Sequence, residues 1–112
     1  MIKQLILLTI ISLAITSSAA PTRAENYKKA QKVVEGVTNF SQIREITSQL
    51  DEVFSEIIHT STNDSRILAT KLARLKLSTA NMHAMGTFSE VKLRRAKTCI
   101  VDAFVSILNT KK

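Results

Sequence analysis

Between residues 27 and 108 apolar side chains recur at steps of three and four, the spacing of amphipathic helices. Tyr27, Ala30, Val33, Val34 and Val37 form the first such set, with Lys28, Lys29 and Lys32 on the opposite side. Gly36 weakens the end of that segment, and Asn39 with Gln42, or Ser41 alone, can cap the next. Because the apolar register nearly continues through Phe40, one long bent helix is the alternative to two. The second segment carries Ile43, Ile46, Leu50, Val53, Phe54 and Ile57 on one face, with Glu45, Glu52 and Glu56 on the far side.

Thr60 to Ser65 is entirely polar and reads as a loop. Asp64 or Ser65 is the expected cap of a third segment, whose inward stripe is expected to be Leu68, Leu72, Leu75, Thr79 and Met82. Gly86 ends it, and Thr87 with Glu90 has the spacing of a capping box opening a fourth segment. There Leu93, Ala96, Ile100, Ala103, Phe104 and Ile107 face inward, to about Leu108. The predicted fold is therefore all-α, a small antiparallel bundle of three to four amphipathic helices.

The first 20 residues follow a different pattern. Lys3 precedes an apolar run, Leu5 to Ile15, broken by Thr9 and Ser12 and followed by the small residues Ser17, Ser18, Ala19 and Ala20. This is the layout of a cleaved secretory signal peptide. The run is too short to cross a bilayer core, which takes about 20 helical residues. Cleavage after Ala19 keeps Pro21 away from the scissile bond; Ala20 and Ala24 are the alternatives. Residues 1–19 are thus expected to be the signal and 20–112 a single secreted, extracellular domain, with no transmembrane anchor. Two glycines, one proline and five aromatic residues in 112 leave a core of Leu, Ile, Val and Met.

Charge is divided unevenly. The formal net charge is +7, but Glu25 to Asp64 holds seven acids and four bases, whereas Ser65 to Lys112 holds ten bases and two acids. Lys71, Arg74, Lys76, Lys92, Arg94, Arg95 and Lys97 form a candidate basic binding face for an acidic protein or another anionic surface. The competing reading is partial neutralisation against the acidic second segment. Nucleic acid is not expected, since aromatic residues for stacking on bases are nearly absent.

Cys99 is the lone cysteine, so in an oxidising compartment it either bridges two chains, as in a homodimer, or packs as a small apolar residue. Asn63-Asp64-Ser65 and Asn39-Phe40-Ser41 are N-glycosylation sequons at segment junctions, Asn63 favoured over Asn39, which abuts Phe40. Of the dibasic pairs, Lys28-Lys29 and Arg94-Arg95 fall inside predicted helices, which leaves Lys111-Lys112 for trimming. His59 and His83 sit in different segments, and no catalytic, phosphate-binding or metal-ligand spacing occurs, so no catalytic residue, cofactor or metal is expected. The expectation is a secreted, non-enzymatic helical protein that binds an extracellular partner, such as a seminal, salivary or venom component or a host-directed effector. A carrier of a small apolar ligand and a cationic membrane-active defence peptide are the alternatives.

Overall fold

A computed structural model describes residues 23–110. The expected signal segment, its cleavage points after Ala19 and Ala20, and the Lys111-Lys112 pair lie outside them; Ala24 falls in the first turn of the first helix. Four helices make up the described chain: α1 (Arg23–Val33), α2 (Phe40–Thr60), α3 (Asp64–His83) and α4 (Glu90–Leu108). None is long and apolar enough to cross a membrane.

The chain breaks between α1 and α2 rather than bending. Gly36 adopts a φ of +80°, which a side chain would strain. Asn39 then opens α2: its Oδ1 accepts from the Gln42 amide at 2.9 Å, while Gln42 Oε1 accepts from the Asn39 amide at 3.3 Å and the Thr38 amide at 2.7 Å. The expected Asn39–Gln42 cap is present as a full capping box. The apolar face of α2 is buried as expected, with Val53 partly covered at its edge and Glu45, Glu52 and Glu56 exposed.

In α1 the buried set is Asn26, Ala30 and Val33, continued by Val34 and Val37. Tyr27, expected inside, is 47% exposed. Asn26 takes the inward place because its Nδ2 donates to the Leu108 carbonyl at 3.3 Å and to Asn109 Oδ1 at 2.8 Å. The start of α1 is thereby tied to the end of α4, leaning on it in antiparallel sense.

Two expected caps are displaced. The cap of α3 is Asn63, whose Oδ1 accepts from the Arg66 amide at 3.2 Å, with Asp64 as the first helical residue. At α4 the Thr87–Glu90 box does not form. The helix begins at Glu90, with Ser89 as cap and no side-chain cap bond. Gly86 turns the chain with a φ of +77°, and Phe88 packs against Phe40 with ring centroids 5.1 Å apart, leaving Thr87 outside the helix.

The larger departure is the rotation of α3. Arg66, Thr70, Ala73, Leu77 and Ala80 face inward, and Ala84 beyond the last turn is buried with them. The expected inward stripe faces solvent: Leu68, Leu72, Leu75 and Met82 are 60%, 52%, 64% and 70% exposed, and Thr79 is exposed too. Both sets climb the helix by steps of four and three and differ by an offset of two residues. On a helical wheel their centres lie about 160° apart, so periodicity alone is satisfied by either orientation.

Neighbouring helices decide between them. Small residues on α3 (Ala73, Ala80) and α4 (Ala96, Ala103) join the core formed where those helices share their most extensive interface. On the other side, α3 presents polar partners to α2. Arg74 Nε and Nη2 donate to the two carboxylate oxygens of Asp51 at 2.8 and 3.3 Å, and Thr47 Oγ1 donates to Asn81 Oδ1 at 2.7 Å. Arg44 Nη1 donates to the Ala84 carbonyl at the end of α3, 3.0 Å away. Turning the leucines inward would break these bonds and force bulky side chains between closely packed backbones. Phe54, Phe104, Ile43, Leu50, Ile100 and Ile107 complete a fully enclosed interior on α2 and α4.

Candidate functional site

The outward face of α3 joins two features that usually stay apart on a protein surface. Leu68, Leu72, Leu75 and Met82 form one exposed apolar row, interrupted by Thr79, and the link after the helix adds exposed Met85 and Phe88. Isolated exposed apolar residues are ordinary, but a contiguous row on one helix marks an interaction surface. Exposed lysines border it on both sides: Lys71 on the flank toward α2 and Lys76 on the flank toward α4. From Ser65 to Ser89 the chain contains no acidic residue.

The seven candidate basic residues do not form one face. Arg74 is held by Asp51, so the expected neutralisation between the acidic and basic helices is realised at this pair. Lys71 and Lys76 edge the apolar row. At 100° per residue, Lys92 and Arg95 lie on the side of α4 that also carries Cys99, within an arc of about 60°. Arg94 and Lys97 lie on the opposite flank of α4, turned away from α3. Lys92 reaches back toward the α3–α4 link, its Nζ 3.8 Å from where a side chain on Gly86 would begin.

Cys99 is partly buried against the core. Burial pushes its thiol pKa up, Asp102 adds to that, and Lys76 opposes it. Lys76 of α3 and Asp102 of α4 are thus near enough to Cys99 for their charges to act on its thiol. A protonated thiol is a poor nucleophile.

Arg66 is buried at the inward start of α3 and donates to Thr110 Oγ1 at 3.3 Å, just past the end of α4. Desolvation lowers its pKa, yet a guanidinium stays charged and complements the C-terminal end of the α4 dipole. Asn39 is exposed and Asn63 partly buried, each using its side-chain oxygen as a helix cap. A glycan would attach to the amide nitrogen instead. Lys28-Lys29 lies within α1 and Arg94-Arg95 within α4, as expected. His59 and His83 sit at the C-terminal ends of α2 and α3, where a cation complements the helix dipole. Among the described residues no three His, Cys, Asp or Glu side chains are grouped to hold a metal ion.

No family model, curated protein or solved structure matches the chain.

In the sequence the row on α3 has the spacing of a core stripe and so does not read as a site. Two signals for it were present: a second heptad-like set two residues away, and the acid-free stretch around it.

Proposed function

We propose that this is an exported, non-enzymatic binding protein that engages an extracellular partner through the outward face of α3. One observation carries the reading: an exposed row of Leu68, Leu72, Leu75 and Met82 bordered by Lys71 and Lys76. Keeping such a row in water forgoes about 25 cal/mol for every Å2 of apolar surface left uncovered, and a partner recovers that energy. The enclosed interior favours surface binding over carriage of a small apolar ligand in the core. The signal-like leader supports export, and glycans at Asn63 and Asn39 are further features of an exported chain.

Two measurements test the reading. Secretory cells given the full chain should release a product that begins near Ala20; a chain retained in cells and starting at Met1 overturns export. Hydroxyl-radical footprinting of that product should then show Met82 modification falling several-fold when the native secretion is added to the purified protein. Met82 modification left unchanged by the secretion and by lipid vesicles alike overturns the assignment of the face.

A further inference from the structure

We propose that the partner of the α3 face is an anionic phospholipid surface, on which the folded protein lies with α3 parallel to the membrane plane. This rests on the assignment of that face as the docking site and names what covers it. Between Lys71 on one flank and Lys76 on the other, the outward arc of α3 is apolar apart from Thr79 and the residues of its first turn and end. That is the cross-section of an interfacial helix: apolar side chains enter the boundary between headgroups and acyl chains, and lysines at its borders extend their ammonium groups to the headgroups. Lys92 and Arg95 on the neighbouring flank of α4 widen the positive rim, which the exposed Asp102 on α4 partly offsets.

Charge selects this occupant over a second copy. A symmetric pair that buried α3 against α3 would bring two basic rims together, with Asp64 in the first turn the one acid on that helix and none beside Lys71 or Lys76 to accept either. A head-to-tail pair using the exposed acids of α2 would set Glu45, Glu52 and Glu56 against leucines, desolvating carboxylates without apolar contact in return. An anionic bilayer satisfies both demands at once, offering hydrocarbon to the row and phosphate or carboxylate to the rim.

The experiment is flotation of the purified protein with vesicles, either pure phosphatidylcholine or containing roughly one-third phosphatidylserine. Binding is expected to the anionic vesicles alone at about 0.1 M salt and to be lost at about 0.5 M, where screening is strong. The double variant Leu72→Ser/Leu75→Ser should bind at least tenfold more weakly. Lys71→Gln and Lys76→Gln should each weaken binding about fivefold, the value of one lysine near an anionic surface. All four positions are exposed, so unchanged thermal unfolding separates lost binding from lost fold. Wild-type protein that ignores anionic vesicles overturns the proposal, as does a leucine variant that binds like wild type.

Sedimentation velocity supplies the remaining arm. A dimer that Leu72→Ser/Leu75→Ser converts to monomer, without vesicle binding, overturns the lipid assignment in favour of a second copy. Protection of Met82 by the native secretion without vesicle binding overturns the lipid while leaving the docking face in place.

Discussion

At the scale of single residues, polar side chains in semi-buried places govern chemistry and anchoring. Cys99 shows how burial mutes a reactive group: desolvation and then Asp102 raise its thiol pKa, with Lys76 opposing. A thiol raised in this way stabilises the fold fully below the ordinary thiol range, and that contribution is lost as pH rises through the raised value. Thermal melts taken from neutral pH into the alkaline range should therefore fall more steeply for wild type than for Cys99→Ala. Maleimide labelling should be several-fold slower than for a free thiol near neutrality, and urea should restore it. Labelling at the free-thiol rate would contradict the burial.

At the scale of elements, α2 and α3 show opposite relations between pattern and packing. α2 has one apolar face and the Asn39–Gln42 capping pair, one of its two candidate caps, whose loss would cost about 1 kcal/mol, and it folds with that face inward. α3 had two candidate faces. Its orientation predicts unequal costs for neighbouring leucines: Leu77→Ala should destabilise by about 2–5 kcal/mol, as for an enclosed core side chain. Leu75→Ala should stay within about 0.5 kcal/mol, as for an exposed position. Urea unfolding of the two variants checks this, and a reversed order would mean that the leucine row faces the core. Packing geometry outweighed hydrophobicity here because alanines let α3 approach α4 closely, while Asp51, Thr47 and Arg44 offered bonds only to the other orientation.

For the molecule as a whole, the helices are unequal partners. α3 packs between α2 and α4, whereas the short α1 rests mainly on α4. An 11-residue helix is marginal by itself in water, so α1 depends on Ala30, Val33 and the Asn26 bonds to the end of α4. Native-state hydrogen exchange should show α1 amides opening at least tenfold more often than those around Ile100. Asn26→Ala should widen that gap at a cost of about 1–2 kcal/mol. Equal protection across the four helices would refute α1 as the weakest unit. Charge is also organised at this scale, with an acidic outer surface on α2 and the apolar and basic surface on α3 and its α4 flank. The Arg74–Asp51 pair joins the two, but at its exposure it contributes at most about 1 kcal/mol.

The sequence by itself determined the helical class and the inward faces of α2 and α4, because each depends on neighbours within one or two turns; it narrowed the cap of α2 to Asn39 or Ser41 and left a break at Gly36 and a continuous bent helix both open. It also determined the uneven charge, which is a property of composition. Tertiary structure alone decided which face of α3 is inside, why Asn26 rather than Tyr27 is buried, and where α4 begins. Those outcomes depend on contacts between residues tens of positions apart, where a small side chain or a hydrogen bond to another helix outweighs the hydrophobicity of a leucine.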